Sequence, residues 1–209
     1  MTDDSTLLQA WRDGDASAGR RLVERHFASM YRFFANKVSS EVDDLIQDTF
    51  LACVEGRDRF EGSASFRTYL FAIARNKLYR HWRDRKPGAT PDWSVSRLAD
   101  SGITAADALA KGQEQRLLLR TLRLLPLDLQ VLIELSYFEG MSDREVAAVM
   151  DLPMGTVKSR LRKGRQLLHE QMSANADAAL VASTQQGFSG WCEGIRRHLG
   201  GDASPLGRG

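Results

Sequence analysis

The chain reads as an all-α protein, two small helical domains joined by a flexible linker and followed by a C-terminal extension. Three observations predict this. Apolar residues recur with a 3.6-residue period through residues 5–172, and β-branched alternation is nearly absent. Helix breakers fall at intervals, at Gly14, Pro126, Gly140 and Pro153–Gly155, cutting the pattern into helix-sized pieces. A stretch rich in Pro and Gly, with little periodicity, interrupts it at 87–112. At 209 residues there is enough chain for two small cores on either side of that interruption.

Taken in order, residues 5–36 predict two helices meeting around Gly14–Asp15, the first carrying Leu7, Leu8 and Trp11. Residues 41–55 predict a third and 64–84 a fourth. On a wheel of that fourth helix, Phe66, Leu70, Phe71, Ile73, Ala74, Leu78 and Trp82 share the core side. Thr68, Tyr69, Arg75, Asn76, Tyr79, Arg80 and Arg83 share the other, and Lys77 reaches out from the core-side arc on its long stem. Residues 5–86 thus make one domain and 113–172 a second, the linker between them being longer than connections inside compact domains. The extension, 173–209, is rich in Ala, Gly and Ser; Phe188, Trp191, Ile195 and Leu199 mark one face of a short helix in it.

The formal net charge of +2 conceals strong local asymmetry. Glu41–Glu55 holds five acidic residues and no basic one, whereas Arg57–Lys86 holds nine basic against three acidic. Thr156–Glu170 carries five Lys or Arg against one Glu. One acidic block and two basic blocks imply more than one kind of partner. Cys53 sits in an apolar helical run as a small core residue, and Cys192 with His198 supplies too few ligands for a metal. There is no GxxxxGK[ST], GxSxG or HExxH motif and no Ser/His/Asp set, so no catalytic residue, metal or cofactor is expected and the chain does not read as an enzyme. With no long apolar run and no charged leader, it is expected to stay in the cytoplasm.

The most specific stretch is MSDREVAAVMDLPMGTVKSRLRKGRQLL, residues 141–168. Ser142 and Glu145 form a capping box, and Val146, Ala147 and Met150 give the short helix its inner face, with Ala147 and Ala148 small enough for close approach. The chain breaks at Asp151–Gly155, and Thr156 is placed to cap the next helix. From Val157 onward, Leu161, Gly164 and Leu168 fall on one line, with Lys158, Ser159, Arg162, Lys163, Arg165 and Gln166 opposite. This is the helix-turn-helix geometry that fills a DNA major groove; the alternative is an α-hairpin with a solvated basic face.

The run from Tyr137-Phe138-Glu139-Gly140 to Gly155-Thr156-Val157-Lys158-Ser159-Arg160-Leu161 resembles region 4 of the bacterial extracytoplasmic-function (ECF, group IV) sigma factors of the sigma-70 family. VDDLIQDTFLACVEGRDRFEGSASFRTYLFAIARNKL is similar to their region 2. Asp151 departs from the family's Gly, though Asp tolerates left-handed backbone better than most residues.

The resemblance implies a subunit that binds core RNA polymerase through its β′ clamp helices and β flap, recognises promoter DNA and directs transcription initiation. It leaves room for an anti-sigma factor. Asp43, Asp44, Gln47 and Asp48 would form the polymerase-docking face; without the resemblance, the same residues read as a solvated acidic helix. Phe60, Glu61 and Ser63, with Tyr69, Arg75, Asn76, Tyr79, Arg80 and Arg83, would bind the −10 element as it opens. Phe60 also reads as an anchor of its loop to the core. Thr156, Lys158, Ser159, Arg160, Arg162, Lys163 and Gln166 would read the −35 element as duplex. The rival reading is a stand-alone helix-turn-helix repressor or activator with an N-terminal effector domain.

Overall fold

The computed structural model describes residues 3–38, 40–60, 62, 64–85, 112–176, 178–186 and 190, the side chains of 185 and 186 excepted. The described residues form nine α-helices and no strand. The first unit holds α1 (Asp4–Arg12), α2 (Ala16–Ala35), α3 (Val42–Gly56) and α4 (Phe66–Asp84). Each start but one has a local cause. Asp3 accepts from the Thr6 N–H, Asp15 from Ser17 and Ala18, and Ser65 from Thr68, each satisfying a donor with no partner inside the helix. α3 instead follows Glu41, whose backbone is left-handed at φ 65°.

The core of this unit is Leu22, Met30, Phe33, Phe34, Leu70, Phe71 and Leu78, each at most 2% exposed. Phe33 meets the rings of Phe34 and Phe71 edge-on, with centroids 5.2 and 5.6 Å away. Cys53 is buried here, and the apolar surroundings push its thiol up to about 12.

The second unit holds α5 (Gln113–Arg123), α6 (Leu127–Ile133), α7 (Asp143–Met150), α8 (Met154–Asn175) and α9 (Ala178–Gln186). A single π turn, Glu134–Phe138, continues α6. The Ser142/Glu145 capping box is complete in both directions, and Asp151 adopts the left-handed conformation (φ 55°, ψ 51°) that ends α7. Gly164 lets α8 sit against α6: a Cβ there would lie 3.0 Å from Ile133 Cδ1.

Several expectations are corrected. Thr68 is buried, since α4 is covered on a second side by α7, a neighbour its own wheel cannot reveal, and Ile73 is only half-buried. In α7 it is Val149, not Ala148, that turns inward; Ala148 faces solvent. Thr156 does not cap α8, which starts two residues earlier after Pro153, with no side-chain cap. The extension contains α9, which packs on α5 and α8 through Val181 and Thr184. The stripe from Phe188 to Leu199 lies outside the described residues, as does most of the linker. Among the described residues, no helix is long and apolar enough to cross a membrane.

Candidate nucleic-acid and polymerase interfaces

Three helix faces carry the residues singled out in the sequence. On α3, Asp43, Asp44, Gln47 and Asp48 are exposed while Val42, Leu45, Ile46 and Thr49 are buried. Two apolar side chains extend this face, Leu51 at 53% and Val54 at 38% exposure. Sequence reasoning missed them, although Leu51 stands four and seven residues after Gln47 and Asp44, and Val54 seven after Gln47, which puts both on the acidic side of the wheel. Asp48 is not wholly free of the fold, since Lys77 approaches it at 3.7 Å.

α8 presents its basic side cleanly. Val157, Leu161, Gly164, Leu168 and Met172 face the core. Lys158, Ser159, Arg162, Lys163, Arg165 and Gln166 are all exposed. Ser159 Oγ donates to the Thr156 carbonyl at 3.0 Å, and Lys158 lies 3.9 Å from Asp143 on α7. Arg160 differs from its neighbours. It is half-buried and donates to Asp128 Oδ2 at 2.9 Å.

The α4 face is less open than its pattern suggests. Arg80, Arg83 and Asn76 are exposed, and Arg75 donates to Asn76 Oδ1 at 2.9 Å. Arg75 also lies over the Tyr79 ring, 5.6 Å from its centroid. Tyr79 itself does not stand in solvent: its hydroxyl donates to Asp128 Oδ1 of the second unit. Burial first, and then the Asp128 charge, push that phenol far above its ordinary value. Tyr69 turns the other way, to the loop after α3. Its ring packs on Phe60 at 4.7 Å between centroids, and its hydroxyl occupies the space that a Cβ on Gly56 would need. Arg12 clamps the same loop by donating to the carbonyls of Arg57 and Phe60. Phe60 is therefore held against the first unit, and Glu61 and Ser63 lie outside the described residues.

A polar cluster between the two units was not foreseen at all. Glu139 accepts from Arg32 Nε at 2.8 Å and from Arg67 at 3.0 Å. Glu134 accepts from Lys37 and from Asn36, the latter at 3.3 Å, and Arg123 donates to Asn36 Oδ1 at 2.9 Å. Lys37, Glu134, Glu139, Arg32, Arg123 and Asn36 are all buried. Burial pulls Lys37 below and Glu134 above their ordinary values, and the contact between them opposes both shifts.

The π turn explains why the two glutamates act together. Its Glu139 N–H to Glu134 carbonyl bond, 2.9 Å long, stacks residues five apart. A continuous α-helix would set them about 140° apart. Nothing in a one-dimensional pattern marks that shift.

The comparisons with known proteins bear on the same elements. Residues 20–87 match Sigma-70 region 2 and residues 115–168 match Sigma-70 region 4, in that order. The fold and its two regions thus define a sigma factor, the class of protein that directs transcription initiation. The ECF RNA polymerase sigma-E factors of Salmonella typhimurium LT2 and Escherichia coli K12 are each 31% identical over 180 residues, covering 81% of this chain and 94% of theirs. That of Haemophilus influenzae is 27% identical over 179 residues.

Among solved structures, CnrH in complex with the cytosolic domain of CnrY superposes with a TM-score of 0.60 at 27% identity. The match covers 83% of this chain and 99% of that one. The sigma factor RpoE of Bartonella quintana, solved with the anti-sigma factor NepR, shares the fold at a TM-score of 0.56 and 23% identity, over 75% of this chain and 98% of that one. The chain belongs to the extracytoplasmic-function sigma factors of the sigma-70 family.

Proposed function

We propose that this chain joins core RNA polymerase in the cytoplasm and reads a two-part promoter, without any bond chemistry of its own. The supporting observation is the clean division of α8: every apolar residue on its line is buried, and every basic residue but Arg160 is exposed. A helix of that kind, presented by the short capped α7, can enter a major groove with Lys158, Ser159, Arg162, Lys163 and Gln166 at base edges and phosphates. In this reading residues 113–172 bind the −35 element and residues 5–86 the −10 element. Residues 87–112 are the connector, and 173–209 an extension that tunes activity.

The α3 face supplies the polymerase contact. Asp43, Asp44, Gln47 and Asp48 offer charge to a basic partner, and Leu51 with Val54 offers apolar area beside it. Such a face would repel DNA phosphates and so keep the two functions apart. The β flap and an anti-sigma factor are further partners of this reading.

The test is run-off transcription with reconstituted holoenzyme, after promoters have been selected with the same holoenzyme. Arg162→Glu should abolish specific transcripts while leaving polymerase binding intact. Leu51→Asp should do the reverse, lowering affinity for core polymerase without changing the sequence preference. Tight binding of the free chain to a palindromic operator, with no binding to polymerase, would point to the stand-alone repressor instead.

A further inference from the structure

The last two residues of α1 grip one short segment of the first unit. Arg12 reaches 45 residues along the chain and donates twice to the Arg57 carbonyl, from Nε at 2.9 Å and from Nη2 at 2.6 Å. Its Nη2 also meets the Phe60 carbonyl. Beside it, Trp11 occupies the space that a Cβ on Gly19 would need, and Arg57 lies over the Trp11 ring, 5.4 Å from its centroid. On the other side, Tyr69 of α4 packs on the Phe60 ring, and Arg12 stands 6.0 Å from the centroid of that same ring.

Arg57 directly follows the last residue of α3, so its carbonyl lies where helix carbonyls lack partners and partial negative charge collects. A guanidinium suits that place, because its planar fork serves two carbonyls three residues apart, which a point-like ammonium cannot. The segment is nonetheless at the surface. Asp58 and Arg59 are exposed, and Arg12, Arg57, Phe60 and Tyr69 are only half-buried. Water can satisfy carbonyls there, and the core of the unit is made by other residues, Phe33, Phe34, Leu70 and Phe71 among them. The grip of Arg12 therefore fixes a position rather than holding the core together. What it fixes is an aromatic pair, Phe60 and Tyr69, flanked by the cations Arg12, Arg57 and Arg59. Rings for bases beside cations for phosphates is the composition of a single-strand binding surface.

We propose that Arg12 is a positioning residue for −10 recognition: its fork to the Arg57 and Phe60 carbonyls sets the Phe60 ring against Tyr69 before DNA arrives, so that unpaired bases meet a preformed surface. The proposal rests on the promoter reading for its ligand, and it asks no DNA contact of Arg12 itself. Ordering completed in the free protein is not charged against binding. A segment that holds the right place about one-tenth of the time binds about tenfold more weakly than one always in place. Selectivity falls with affinity, since a ring held in one place favours the bases that fit it and a wandering ring accommodates several.

The test uses holoenzyme reconstituted from the full chain and core polymerase, with promoters already selected by that holoenzyme. Fluorescent single strands carrying the selected −10 sequence, or the same sequence with one base changed, are titrated against it. The parent should prefer the selected strand. Arg12→Lys and Arg12→Ala should each bind that strand about tenfold more weakly and discriminate less among the changed ones. Their affinities for core polymerase and for a −35 duplex should match the parent. Arg20→Ala, which removes an exposed charge from α2, should leave the preference intact. Should Arg12→Ala lose helicity, Arg12→Lys carries the test, since it keeps both the stem and the charge.

Parent-like binding by Arg12→Lys would reduce Arg12 to a charge and overturn the positioning role. A loss of equal size for every strand would overturn it too, because a displaced ring changes the preference and a missing charge does not. A parent that binds all strands alike would sink the −10 reading and the proposal with it. A discriminating parent matched by Arg12→Lys sinks the proposal alone.

Discussion

His26 illustrates how much one side chain can reveal about conditions. It is 6% exposed, 2.7 Å from Asp4 and beside the Phe66 ring. Burial lowers its pKa below 6.5, outweighing the opposing pull of Asp4, and the nearby Arg67 and Arg25 charges lower it further. The folded form therefore binds this proton less readily than the unfolded chain. Its contribution to stability is whole above pH 6.5 and is lost as pH falls from there through the lowered folded value. The urea midpoint should decline between neutral pH and pH 5, and His26→Gln, which can still donate to Asp4, should flatten the decline. An equally steep decline in the variant would remove His26 from the explanation. Ser142 tests a simpler claim. Its hydroxyl donates to the Glu145 carboxylate at 2.7 Å and accepts from the Glu145 N–H, and its own N–H reaches the same carboxylate; the hydroxyl first, and then the N–H, hold that carboxyl below its ordinary value. Ser142→Ala should destabilise the second unit by about 1 kcal/mol, read as a lower Tm.

At the scale of elements, α8 was legible almost residue by residue, since one helix packed on one side obeys its own wheel. α4 was legible on one side only. Its apolar line predicted Phe66, Leu70, Phe71 and Leu78 in the core, but a wheel cannot count the neighbours a helix will have, and α7 together with Asp128 of α6 meets part of what was assigned to solvent. Tyr79 shows the consequence. Tyr79→Phe removes the hydrogen bond to Asp128 while keeping the ring, so it should loosen the joint yet retain stacking; Tyr79→Ala should lose both. Comparing promoter opening by the two variants checks this, and equal defects would count against a stacking role. Gly164 lies close against Ile133 of α6, and Gly164→Leu should cost about 1–3 kcal/mol by overpacking there. A denaturation midpoint unchanged in that variant would show that α6 and α8 yield more than their packing suggests.

For the whole molecule, long-range charge pairs were the hidden part. Lys37 and Glu134 are 97 residues apart, and neither belongs to a motif. In sequence each reads as an ordinary surface charge; only the meeting of two units makes them buried. In the extension, Ala and Ser carry no stripe to read, yet Val181 and Thr184 are buried against the second unit. Stopping the chain at Met172 should therefore lower the Tm of that unit before any effect on transcription is considered. Equal Tm values for the full and shortened chains would mean that α9 adds nothing to it.

Cys53 gives the first unit a clock. A thiol reagent attacks the thiolate, and this sulfur is both shielded and held in its protonated form. In a chain with Cys192→Ser, labelling must wait for the surrounding helices to part. With reagent in excess, the rate of modification then measures how often the first unit opens, without heat or denaturant. Repeated with Glu139→Gln, it would tell whether losing the contact to Arg32 and Arg67 shortens the lifetime of the first unit.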